Sequence, residues 1–432
     1  MNSYAERLEI SRLIHRFGMG PKPGEFAQLV QSGVSNARTN ILTPSATDAG
    51  LAKVAEPDLR DLGPRPQPNT PQVIPFANSM RKQNSDLLLW WLDRMVLADN
   101  ALTERMTWFW HGHWATSIGK VEYALPMKIQ NATLRNFALG NFADMSRAMV
   151  QDGALQYWLD GNQNQKGAPN ENLARELMEL FTLGVNHYTE DDIKNLAKAL
   201  TGYSVTRSSG KITFDTKKHD ATPISFLGKT ASFDAISASD YLVSRDDCAA
   251  YITSRLWFRF ISSLLPNSDQ NIISAFAGRD ILKAVTALAS HPAMSDPLNS
   301  QVKSPIDWFV SVCRALQIVP SQVKVYGQIA NYLDKLGQVP FIPPNVGGWP
   351  YDEAWLNVSS AQYRLAFAGY LVSIGNLSPL KNSTVEPAQF LADWLGVARW
   401  SSRTKTAFAS AQGDPARLTL LAISAPEYLV NG

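Results

Sequence analysis

Residues 108–114 read WFWHGHW, which sets two of the chain's six histidines one residue apart among three tryptophans and a phenylalanine. Large aromatic side chains bury what they touch, and a buried imidazole needs a hydrogen bond or a metal to offset its lost hydration. His111 and His113 are therefore candidate metal ligands. Iron, manganese and zinc accept imidazole together with carboxylate, and two nitrogens plus one acid leave positions open for water, oxygen or substrate. Carboxylates of the right kind lie in GAPNENLARELMELFTLG. In such a site Glu179 would ligate, Glu171 and Glu176 would act as general acid or base, and Arg175 would hold an anionic substrate group. His219 and Asp220, adjacent in KKHDATP, would supply further ligands.

Each of these groups also has an ordinary structural role. The histidine pair can be satisfied core side chains, the glutamates a solvated face with Glu171–Arg175 and Arg175–Glu179 ion pairs, and His219–Asp220 a local turn. Geometry separates the alternatives. Side chains two apart point the same way on a strand but about 200° apart on a helix, and Gly112 between the histidines can loosen a helix end.

Apolar residues recur at three- and four-residue spacing near 84–99, 171–183, 190–201, 248–263, 270–289, 305–317 and 323–336, so the fold class is mainly α. We expect one large helical unit over 1–432, bundle-like, with C-terminal helices over about 385–432. The acidic helix has readable ends: Pro169 suits a first helical position and Gly184 a left-handed stop. Thr189 with Asp192 forms a capping box for the next helix, which Gly202 closes. Leu173, Leu177, Leu180 and Phe181 share one arc, with Glu171, Glu176 and Glu179 opposite. Two stretches break the helical pattern. Residues 43–75 are proline-rich and read as an extended excursion that wraps the body or stays mobile. Residues 201–230 alternate β-branched or aromatic with polar residues across an SSGK turn, which predicts a β-hairpin and the only sheet.

Composition narrows the function classes. Forty Lys+Arg against 38 Asp+Glu give a net charge of +2, so no strong field argues for nucleic acid or an anionic membrane. Cys248 and Cys313 lack zinc-ribbon or CxxC spacing and read as buried thiols. The opening MNSYAERLEISRLIHRFGMG shows no secretory leader and no later run would span a membrane, which reads as cytoplasmic. Neither a phosphate-binding glycine loop nor GxSxG occurs. FIPPNVGGWPYDEAW has the makings of a rigid loop, with Trp349 and Trp355 locking it onto the core and Gly347 and Gly348 allowing close backbone approach. An HxH pair also occurs in cupin sites, but those need barrel strands that this chain lacks.

The acidic segment, followed by YTEDDIKNLAKALTGY, resembles the signature of the bacterial domain of unknown function 1800 family (DUF 1800). RLIHRFGMGP, MTWFWHGHWATS, KKHDATPISFLG, SRLWFRFIS, VKSPIDWFV, FIPPNVGGWPYDEAW and SAPEYL extend the likeness over nearly the whole chain. The resemblance implies a predominantly helical protein of a family that is often exported and often encoded beside a sulfatase-like family. His15 is atypical in its motif and a poor catalytic candidate. Two functional expectations follow. One is a metal-dependent enzyme, hydrolytic or oxidative, that holds iron, manganese or zinc. The other is a non-enzymatic helical scaffold that binds a partner protein such as the sulfatase-like neighbour.

Overall fold

The computed structural model describes residues 3–264 and 269–430. It is 60% helical, and the strands among the described residues form two small two-stranded sheets, so the class is mainly α as expected. The longest helix, Val73–Leu97, buries Leu87, Trp90, Trp91 and Met95, one stripe at helical spacing. The next, Leu102–His113, buries every residue except Thr103. Its charged members can be buried because they are paired, Glu104 with Arg94 and Arg135 and Arg105 with Asp307. Buried side chains gather in two clusters, and this aromatic helix supplies both: Phe109 and Trp110 to one, Trp108 to the other.

Several expected elements are present with altered bounds. The acidic segment is α-helical only over Asn172–Glu176, with Glu171 at the N-cap position but making no side-chain cap, rather than begun at Pro169, and continues as a π-helix over Leu177–Thr182. The helix expected at 270–289 is interrupted. Gly278 adopts φ +67°, and Asp280 then caps a second helix, Ile281–Ala289, by accepting from Lys283 N. The capping box of Thr189 and Asp192 forms, and Gly184 takes the left-handed φ of +84°.

The expected single hairpin is two: Tyr203–Thr206 pairs with Lys211–Phe214, and Ile224–Phe226 pairs with Lys229–Ala231. The proline-rich stretch wraps the body. Tyr123 donates to Gly63 O at 3.0 Å and Arg65 pairs with Glu122 at 2.8 Å, so the strap is tied at its middle. Both cysteines are buried free thiols. Among the described residues no helix is long and apolar enough to cross a membrane.

Candidate functional site

The two histidines occupy different clusters, as their helical spacing dictates. His111 lies among Trp91, Trp108, Phe341 and Trp349, with ring centroids 5.1–6.0 Å away. Its Nε2 accepts from the backbone N–H of Phe341 at 3.0 Å, so the neutral ring carries its proton on Nδ1. Phe341 has φ +67°, a conformation bulky residues rarely adopt. Its carbonyl in turn accepts from Ile118 N at 2.8 Å. His111 thus pins a strained backbone turn.

His113 faces Trp110, Trp114, Phe181 and Tyr251. Its Nε2 donates to Phe181 O at 3.0 Å, and its Nδ1 is buried with no partner. The π-helical turn explains this contact. A helix end leaves carbonyls without intrahelical donors, and here Phe181 O receives His113 while Leu180 O receives the Tyr251 hydroxyl at 2.9 Å. Burial depresses both imidazoles to about 3, with Arg255 adding to the effect at His113. Both rings are neutral at ordinary pH.

The acidic residues divide into committed and uncommitted groups. Arg175 makes two 2.8 Å bonds to Glu190 and a 3.3 Å contact with Glu171, so its guanidinium is occupied and not open to a substrate anion. The expected Arg175–Glu179 pair does not form. Glu179 instead accepts a short hydrogen bond from the Tyr188 hydroxyl. Glu176 has no hydrogen-bond or ion-pair partner among the described residues, and partial burial beside Glu179 raises its pKa. His219 and Asp220 take the turn role: His219 Nδ1 meets Thr201 O at 3.1 Å, while Asp220 accepts from the Thr222 hydroxyl at 2.7 Å.

These positions do not gather the expected ligands around one ion. His111 and His113 diverge, His219 and Asp220 are bound into their own turn, and one nitrogen of each imidazole of the pair is committed to backbone. Among the described residues no group of three or more His, Cys, Asp or Glu side chains is arranged to hold an ion. What comes together instead is one imidazole, His113, beside Tyr251, with Glu179 and a cation that sequence analysis missed both within electrostatic reach of that tyrosine.

That cation is Arg255, on the helix Asp246–Phe260. It makes no hydrogen bond and no ion pair among the described residues. Its Nε is buried without a partner, and its guanidinium lies 5.9 Å from the Tyr351 ring centroid. Burial raises the pKa of Tyr251, Arg255 opposes that shift and Glu179 adds to it. One turn on, Arg259 is bound to the buried Asp307 at 2.5 Å, and Arg105 holds the same carboxylate. The sequence presents Arg255 and Arg259 as two alike residues at i,i+4 and contains no signal that only one is paired.

The GGWPY loop closes this junction. A Cβ on Gly348 would fall 2.4 Å from Gly112 O, so the loop lies directly on the end of the aromatic helix, and the Tyr351 hydroxyl sits 3.6 Å from where a Gly112 Cβ would be. Trp349 and Trp355 are buried, in keeping with locking. Beneath the loop a cavity of about 20 Å³, bounded by Gly112, Arg259, Gln338 and Tyr351, has room for one water.

No curated protein and no solved structure matches the chain. A family profile described as "Protein of unknown function (DUF1800)" matches residues 12–430. The segments that meet at this junction, from the aromatic helix to the GGWPY loop, all lie within that span, and the chain belongs to the DUF1800 family.

Proposed function

We propose that the protein is an acid–base enzyme that takes an anionic substrate at the junction of His113, Glu176, Glu179, Tyr251, Arg255 and Tyr351. The observation that carries this reading is the unpaired Arg255. A half-buried guanidinium is costly to desolvate without an anion, and the nearby Arg105, Arg175 and Arg259 all have one. A carboxylate, phosphate or sulfate group supplies what Arg255 lacks. Glu176, with a raised pKa, is suited to donate a proton, and Glu179, held by Tyr188, to accept one. His113 positions the π-helical turn that carries Glu179 and directly follows Glu176.

A metal-dependent form of this enzyme would draw on Glu176 and Glu179 with His113 Nδ1 for iron, manganese or zinc. That set is not assembled as ligands, so the reading rests on Arg255. Isothermal titration with inorganic phosphate and with acetate tests it. Binding that survives Arg175→Gln and is lost in Arg255→Gln is the expected result; binding indifferent to Arg255→Gln overturns it.

The scaffold reading has one observation in its favour. The helix Val358–Ile374 carries a single charge, Arg364, and that is buried, while Val358 and Leu365 on its outer side are 86% and 55% exposed. An uncharged outer helix face suits a protein partner such as the sulfatase-like neighbour. Co-elution of the two purified proteins, abolished by Leu365→Lys, would support it.

A further inference from the structure

A second region of interest lies where the proline-rich strap crosses the Val73–Leu97 helix. A groove of about 640 Å³, within the size range of small-molecule sites, runs between strap residues 53–57, that helix and residues 319–322. Leu89, Leu97 and Val319 give it apolar walls. Asp93 is among its lining residues and is only 6% exposed.

Asp93 accepts the Ser321 backbone N–H at 3.0 Å, but no lysine, arginine or histidine lies within ion-pair distance among the described residues. The two lysines that line the groove do not neutralise it: Lys82 is bound to Asp86 at 2.6 Å, and Lys53 makes no ion pair with Asp93. Burial accordingly raises the Asp93 pKa. Other deeply buried carboxylates have more partners: Glu104 is matched by Arg94 and Arg135, Asp307 by Arg105 and Arg259, and Asp152 accepts from both Gln130 Nε2 and the Leu155 N–H. Two further carboxylates stand in the same groove, Asp86 paired with Lys82 and Glu56 with Lys128, so among the described residues Asp93 is the acid of the groove that lacks a cation.

We infer that this groove binds a primary ammonium on a short alkyl stem, with the ammonium on Asp93 and the stem against Leu89, Leu97 and Val319. The ammonium supplies the missing countercharge, and the methylenes cover the apolar walls. A free diamine and a lysine side chain share this chemistry. Glu56, whose Oε2 is held by Lys128, keeps Oε1 for the second amine of a diamine.

The test is calorimetric titration of the full-length protein with 1,5-diaminopentane and with Nα-acetyl-lysine amide, using 1,5-pentanediol as the uncharged control. Saturable binding of either amine, weakened about tenfold or more by Asp93→Asn and absent for the diol, is the expected result. Tighter binding of the diamine, reduced further by Glu56→Gln, assigns a free amine; tighter binding of the capped lysine assigns a peptide side chain. Asp93→Asn removes an uncompensated charge and keeps the side-chain shape, and an unchanged thermal midpoint verifies its fold. Absence of amine binding, equal binding of the diol, or amine binding that survives Asp93→Asn overturns the inference.

Discussion

His111 and His113 are near neighbours on one helix, equally buried and equally enclosed by aromatic rings, yet they do opposite things. His111 uses Nε2 as an acceptor, for the N–H of Phe341. His113 uses Nε2 as a donor, to Phe181 O, and leaves Nδ1 without a partner. The difference comes from what each side of the helix meets: a strained loop that presents an N–H, or a helix end that presents carbonyls. Residue type and burial therefore do not assign a histidine's role. The backbone group opposite it does.

The contrast breaks most readily through stability. Replacing His111 by Phe orphans a buried N–H on a strained residue and should cost about 2–3 kcal/mol in urea denaturation. His113→Phe orphans a carbonyl, which proteins tolerate better, and should cost about 1 kcal/mol. The reverse order would remove the distinction between pin and positioning residue.

Acid sharpens the comparison next. Both folded imidazoles titrate at about 3, below the ordinary 6.5. Above about pH 6.5 neither state gains a proton and the pair has no effect. As pH falls from 6.5 toward 3 the unfolded chain takes up protons that the folded chain refuses, so stability is lost. Each histidine contributes about 1.4 kcal/mol per pH unit in that window. Asp152, held up at about 6 by burial, acts in the opposite sense between its ordinary 3.8 and 6 and lessens the total slope. The clean measurement is the slope removed by each single histidine variant, and a variant whose slope matches wild type would show that its imidazole is not buried neutral.

A smaller effect is expected at the two arginines. Arg175→Gln breaks a largely exposed ion pair and should change stability by less than about 1 kcal/mol without affecting anion binding. Arg255→Gln removes no ion pair, should leave stability within about 0.5 kcal/mol, and should abolish anion binding. The finest test leaves stability untouched: nitrogen-15 chemical shifts at neutral pH should show the proton of His111 on Nδ1 and that of His113 on Nε2. Matching tautomers would collapse the comparison.

Much of the fold was legible locally. Leucine spacing, the Thr189–Asp192 capping box, Gly184 and the proline-rich strap all appear because each depends on residues a few positions apart. The π-helical turn at 177–182 was not legible, since a single wider hydrogen bond leaves the apolar pattern intact. The second hairpin was missed because Ile224–Phe226 and Lys229–Ala231 are too short to show alternation. Of the candidate site, His113 and Glu179 were nominated as metal ligands and Glu176 as an acid or base from residue type and motif alone; that Arg175 pairs with Glu190 and that His219 and Asp220 bind within their own turn depends on contacts the motifs do not show.

By itself the sequence determined the helical class, the strap, the aromatic burial of both histidines and the family, since these follow from composition, periodicity and motif. Only the tertiary structure decided which nitrogen of each imidazole is in use, which of two equivalent arginines is paired, and which carboxylates are matched. The reason is physical: hydration must be replaced partner by partner when a polar group is buried, and the partners come from segments tens to hundreds of residues apart, whose meeting no local pattern encodes.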